Sequence, residues 1–171
     1  MKHAWQITAA VSLLWVGTVW AATGMAQIRG TTAGSPVTGT ATLTDTPSGL
    51  HVSISVAHVA PGKHGLHIHE GSACGDAGKA AGGHFNPDGV PHGFLPTDGF
   101  TKAHAGDFGN IDVGADGTGS LDLTLPGLSL AGGKYNVAGH AVILHEKTDD
   151  FGQPTGNAGG RIGCGVISVT Q

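Results

Sequence analysis

The chain has 171 residues, 31 of them Gly, with 39% apolar and 5% aromatic residues, a length suited to one domain. Gly at this density without a G-X-Y period excludes collagen, and long helical bundles too, since each helix-interior Gly costs about 1 kcal/mol. A net charge of −4 with no basic patch speaks against nucleic acid as a partner, whereas eleven His call for a metal hypothesis.

Residues 1–26 read as an export signal. Lys2 forms a short positive start, and an apolar run follows through Val11, Leu13, Leu14, Trp15, Val16 and Val19. Small residues offer cleavage after Ala21, the preferred point, or after Ala26. An uncleaved membrane anchor is the alternative, against which Gln6, Thr8 and Ser12 interrupt the stretch. Cleavage after Ala21 leaves a single domain over residues 22–171, with a net charge of −5 once Lys2 is gone and with none of the three Trp (Trp5, Trp15, Trp20). In the oxidising compartment that export implies, Cys74 and Cys164 read as a disulfide.

The mature chain is patterned as strands and turns. Met25 to Arg29 suits a first strand. Leu50, Val52, Ile54 and Val56 alternate with His51, Ser53 and Ser55, as in a half-buried strand. Asp116-Gly117 carries a hairpin signal before the alternation of Leu121, Leu123 and Leu125. Val137–Leu144 and Val166–Val169 are β-rich runs, whereas residues 70–109 and 146–163 lack strand patterning and hold His, Asp and both Cys, which marks them as functional loops. The expected fold is all-β: a Greek-key sandwich or flattened eight-stranded barrel with two large loops.

The histidines concentrate in and around those loops. In G-L-H-I-H-E, His67 and His69 would share one face of a strand while Leu66 and Ile68 enter the core. G-G-H-F-N-P supplies His84, then His92 follows, and H-A-G-D supplies His104 and Asp107. Three imidazoles and a carboxylate suit tetrahedral Zn²⁺. His145 ends the apolar run A-V-I-L-H. Each His alone is more often an ordinary polar residue than a ligand; six with an Asp at two loop edges are harder to dismiss.

The ordered set G-L-H-I-H-E, G-G-H-F-N-P, H-A-G-D-F-G-N-I, V-I-L-H-E-K-T-D-D and G-N-A-G-G-R-I-G-C-G-V-I resembles the copper/zinc superoxide dismutase family over essentially the whole mature chain. The resemblance implies dismutation of superoxide to O₂ and H₂O₂ by a redox-cycling copper bridged through His84 to a structural zinc, one of each per chain. It makes His67, His69, His84 and His145 copper ligands, and His84, His92, His104 and Asp107 zinc ligands. Arg161 matches the arginine beside copper, and His84 with Arg161 would carry the catalysis. Asp149 matches the carboxylate joining His67 to His92, and His64 a structural His before the copper strand. Cys74 and Cys164 match the family disulfide, while His3, His51, His58 and His140 match no ligand.

Cys74, five residues after His69, resembles the bacterial exported members, which implies a periplasmic or secreted protein without stable membrane association after cleavage. The family includes both homodimers and monomers. The segment Glu146–Gly160 is shorter than in long-loop members, and the His92–His104 spacing is longer than in animal ones. A relative that only buffers copper is the competing reading; such relatives lack a copper ligand or the arginine, or carry an extra Cys-rich domain.

Overall fold

A computed structural model describes residues 21–170. The export-signal reading of residues 1–21, with its three Trp, and His3 fall outside the described residues, Ala21 excepted. Among the described residues no helix is long and apolar enough to cross a membrane.

The described residues form nine strands in chain order: β1 (Thr23–Gly30), β2 (Thr38–Thr46), β3 (Gly49–Ala57), β4 (Gly62–His69), β5 (Asp107–Val113), β6 (Gly119–Leu125), β7 (Ala141–His145), β8 (Arg161–Val166) and β9 (Ser168–Thr170). Among the described residues, helix is confined to one 3₁₀ turn (Lys79–Ala81) and α1 (Leu95–Asp98). The strands are hydrogen-bonded in the order β2-β3-β6-β5-β4-β7-β8-β1, every pair antiparallel. Pairing of β1 with β2, from Thr23↔Thr44 to Arg29↔Thr38, closes the barrel. Eight strands therefore close on themselves, and β9 is an extra strand laid on the start of β1.

Period-two alternation builds the walls. Leu50, Val52, Ile54 and Val56 of β3 are buried against Ala26 and Ile28 of β1 and Ala41 and Leu43 of β2, while Ser53 and Ser55 face out. The Asp116-Gly117 turn joins β5 to β6, with Gly114 N–H donating to Thr118 O at 2.8 Å. In β7 all five residues are buried, yet the alternation survives: Val142 and Leu144 enter the barrel core, whereas Ala141 and Ile143 pack with Ala81 and Cys164 beneath the loop that follows β4. Sheet faces covered on both sides read as continuous apolar runs.

Four boundaries differ from the expected ones. The run Val137–Leu144 becomes a strand only at Ala141, because Gly139 takes a positive φ and His140 N–H turns back to Val137 O. The run Val166–Val169 is divided at Ile167, whose N–H donates to His140 O, so its ends belong to β8 and β9. The loops expected over 70–109 and 146–163 give way to β5 at Asp107 and β8 at Arg161. β2, absent from the sequence-based strands, joins β1 to β3.

Two features pin the loop between β4 and β5 to the barrel. A Cβ on Gly106 would lie 2.1 Å from Ile68 O, so only Gly lets that segment bond β4 through Ile68 N–H and Gly106 O. The Cys74–Cys164 disulfide, with Cα atoms 5.7 Å apart and a sequence separation of 90, ties the loop after β4 to β8. A loop of that length corresponds to roughly 4–5 kcal/mol in the chain-entropy account. Cys74→Ser is therefore expected to lower the thermal midpoint by many degrees and to expose residues 72–82 to protease. Equal melting of the oxidised and reduced protein would show that the bridge does not stabilise the fold.

Candidate metal centre

Strands β4 and β7 and the loop between β4 and β5 bring His67, His69, His84 and His145 together, all buried. As expected from alternation, Leu66 and Ile68 are in the barrel core; His67 and His69 look the other way, beneath the loop rather than into solvent. The register opposes His67 to Asp107 across β5, with an irregularity between Gly65 and His67, and His69 forms a bridge with His84.

One nitrogen of three of these rings is already engaged. His67 Nε2 donates to Asp149 Oδ2 at 2.8 Å, His69 Nδ1 to Gly82 O at 3.0 Å and His145 Nδ1 to Gly159 O at 3.4 Å. Carboxylate and carbonyl oxygens only accept here, so these contacts place the ring protons outward and leave His67 Nδ1, His69 Nε2 and His145 Nε2 as lone pairs facing inward. His69 Nε2 and His145 Nε2 lie 3.3 Å apart, and His67 Nδ1 is buried with no hydrogen-bond partner. Burial, helped by neighbouring rings and Arg161, pushes His69 down to about 2 and His145 to about 3, so both stay neutral.

The second group is His84, His92, His104 and Asp107. His84 Nδ1 and His104 Nδ1 lie 2.8 and 3.1 Å from Asp107 Oδ1 and 3.4 Å from each other. His92 Nδ1 is 2.8 Å from Asp107 Oδ2 but not aligned to hydrogen-bond to it, and it has no other partner. Ligands about 2.0–2.1 Å from a tetrahedral Zn²⁺ sit about 3.3 Å apart. The donor set, its spacing and the two orphaned nitrogens therefore fit two imidazole-rich metal positions. His84 belongs to both groups; its Nδ1 is in the second, leaving Nε2 for the first.

Asp107 is aimed by the backbone N–H groups of Gly93 and His104, at 3.1 and 2.9 Å. Burial alone would raise its carboxyl, but the three imidazoles hold it well below the usual carboxylate range. Burial pushes His84 down to about 4 against the pull of Asp107. Burial also opposes charge on His92, yet its contacts with Asp107 and Asp149 outweigh this and raise it to about 9.

These shifts fix how the metal-free protein responds to pH. Below about pH 6.5 the unfolded chain takes up protons on His69, His84 and His145 that the folded chain refuses until about pH 4 or lower, so stability falls with pH. His92 acts oppositely: its contribution is complete below about 6.5 and lost as the pH rises through about 9. The thermal midpoint of metal-free protein is expected to peak near neutrality, dropping steeply toward acid and more gently toward pH 9. A midpoint that keeps rising as the pH is lowered from 6 to 4 would contradict this balance.

Asp149 is fully buried and joins the two groups, accepting from His67 Nε2 at 2.8 Å and from His92 Nε2 at 3.0 Å. A Cβ on Gly156 would fall 1.8 Å from Asp149 Oδ1, so the returning loop must be Gly there, where φ is also +75°. His64 faces Ala60 O at 2.8 Å and His145 O at 2.9 Å, clamping the end of β7 and belonging to neither group. Arg161, paired in register with His145, donates through Nη1 to Gly78 O at 2.6 Å and through Nη2 to Gly82 O at 2.5 Å. Among the described residues it forms no ion pair. Thus Gly82 O receives both Arg161 and His69.

His51, His58 and His140 stand apart, bonded to Asp122, Thr38 and Glu70 O. Sequence reasoning missed Asn110, whose side-chain amide accepts from Asp149 N–H at 2.7 Å and donates to Asp149 O at 2.9 Å. It also missed Gln153, which does the same for the peptide groups of His92. Asn110 lies inside the motif H-A-G-D-F-G-N-I, the one signal that could have pointed to it.

The sequence model of the family described as copper/zinc superoxide dismutase (SODC) matches residues 37–167, a span holding all the residues of both groups. The chain is 39% identical over 140 residues to the extracellular superoxide dismutase [Cu-Zn] of Caenorhabditis elegans, covering 78% of this chain and 62% of that protein; it therefore spans less than two thirds of that relative's length. It is also similar to the crystal structure of the clock protein EA4, with a TM-score of 0.78 and 33% identity over 92% of this chain and 100% of that one. Because one fold can host different functions, the reading of this chain rests on its site.

Proposed function

Since the chain belongs to the copper/zinc superoxide dismutase family, we propose that it converts superoxide to O₂ and H₂O₂, with His67, His69, His84 and His145 holding copper and His84, His92, His104 and Asp107 holding zinc, one of each per chain. The observation that carries this reading is the convergence of six buried imidazoles and Asp107 into two groups sharing His84. Copper, when bound, supplies the one-electron redox change that zinc lacks. The protein's own residues do the rest. Carbonyl and carboxylate partners orient the rings, and His84 can take and return a proton at Nε2. Arg161, braced by Gly78 O and Gly82 O, keeps its remaining N–H groups for an anion.

We further propose cleavage after Ala21 and export as a bacterial-type periplasmic protein. The disulfide, the cysteine spacing and similarity to a relative described as extracellular support this. Metal analysis of the purified exported protein, paired with superoxide consumption, tests the function. One copper and one zinc per chain are expected, with turnover lost on copper removal and restored by copper. Stoichiometric copper without turnover would replace the enzyme with a copper-buffering protein.

A further inference from the structure

A groove of about 600 Å³ runs between the segment 86–91 and the segment 153–155, walled by Val90 and Pro91 on one side and by Pro154 and Thr155 on the other. Of the histidines in the two groups, only His84 and His104 reach its lining. Their side chains are 3% and 8% exposed, whereas those of His92 and Asp107 are fully buried. The groove therefore reaches the second group through His104 and the shared His84, and touches none of His67, His69 and His145.

The two walls are differently held. Asn86 closes its own turn, accepting from Val90 N–H at 3.2 Å and donating to Val90 O at 2.9 Å. The opposite wall is a small lobe closed on itself by Gly156 N–H to Gly152 O and Asp150 N–H to Gly156 O. Gln153 ties that lobe across to the first wall: its Oε1 accepts from His92 N–H at 3.0 Å and its Nε2 donates to His92 O at 2.8 Å. Releasing Gln153 breaks no bond inside either wall. Asp149, at the root of the lobe, keeps its own hold on His92.

We propose that this groove is the route by which the ion of the second group enters and leaves, and that Gln153 is a positioning residue latching it shut. The inference rests on the metal reading given under Proposed function. The latch needs an amide. A carboxylate at position 153 would still accept from His92 N–H but would set an oxygen against His92 O, losing one bond and adding repulsion in the same volume.

The test is zinc release from fully loaded protein into excess chromogenic chelator, with extraction of copper by a cuprous chelator as internal reference. Gln153→Ala and Gln153→Glu are expected to release zinc about tenfold faster, with copper extraction nearly unchanged and the metal-free protein still melting in one cooperative transition. Thr155→Trp, which fills the groove from an exposed position, is expected to slow zinc release severalfold. Unchanged zinc release in both Gln153 variants, an equal acceleration of copper loss, or no slowing by Thr155→Trp would overturn the inference. Wild-type protein that takes up no zinc would overturn the metal reading itself, and this route with it.

Discussion

Asp149→Asn is expected to weaken metal binding at both groups, zinc more than copper, by about 10–100-fold, the usual cost of losing a partner behind a ligand. The carboxylate accepts from His67 Nε2 and His92 Nε2 at once, with Phe151 N–H on Oδ1 as well. Asn supplies one oxygen and an NH₂ group, so in a fully buried site the NH₂ must meet at least one of these donors, Phe151 N–H or an imidazole N–H. The conflict is relieved by displacing the loop at Phe151, by moving a ring proton to Nδ1, the nitrogen that faces the candidate metal position, or by turning a ring away. His92 loses more: its Nε2 lies 3.0 Å from both Asp149 oxygens, whereas His67 Nε2 meets Oδ2 alone, and its raised pKa of about 9 depends on Asp149 as well as Asp107. Zinc and copper affinities of the variant, measured by competition with chelators of known strength, check this. Wild-type affinity at both groups would remove Asp149 from the support of the centre.

Much of this centre was legible before any coordinates, but unevenly. The strands that showed were those with strong contrast between faces, such as β3 with Leu50, Val52, Ile54 and Val56. β2 did not show: in T-G-T-A-T-L-T-D-T the inward residues Gly39, Ala41 and Leu43 contrast little with the Thr beside them, and the strand forms because β1 and β3 pair with it on both edges. The two candidate metal groups were visible as ordered motifs, since imidazoles and a carboxylate declare their chemistry by type. What holds them was not. Gly82 O and Gly159 O, which set the tautomers of His69 and His145, are backbone carbonyls like any other in the chain. Asn110 and Gln153 are amides whose partners lie 39 and 61 residues away in the sequence. Such contacts are created by loop closure around Asp149 and have no local signature. Segment boundaries shifted where a Gly such as Gly139 turned the chain inside an apolar run.

Arg161→Ala is expected to slow superoxide turnover about tenfold or more while leaving both metals bound. The guanidinium belongs to neither metal group, and two of its N–H groups are spent on Gly78 O and Gly82 O, so its loss costs no ligand. What is lost is a fixed positive charge next to His145 on a molecule of net negative charge, −4 for the whole chain. Local positive potential raises the encounter rate of an anion by about 10–10³-fold, superoxide dismutases being a standard instance. Lys147 is poorly placed to compensate. Lys147 is exposed and flanked by Glu146 and Asp150, while Asp149 beside it is buried and committed to His67 and His92. Arg161→Lys is expected to keep part of the rate, because charge survives but the planar fork that spans two carbonyls does not. Raising ionic strength shortens the Debye length to about 8 Å at physiological salt and 3 Å at 1 M. The wild type should slow under that change, though only modestly, because the short loop between His145 and Arg161 supplies few further charges. The Arg161→Ala protein should respond less steeply still, having lost the charge being screened. Equal rates for wild type and Arg161→Ala across the salt range would remove Arg161 from the mechanism and leave substrate encounter to the metal's own charge.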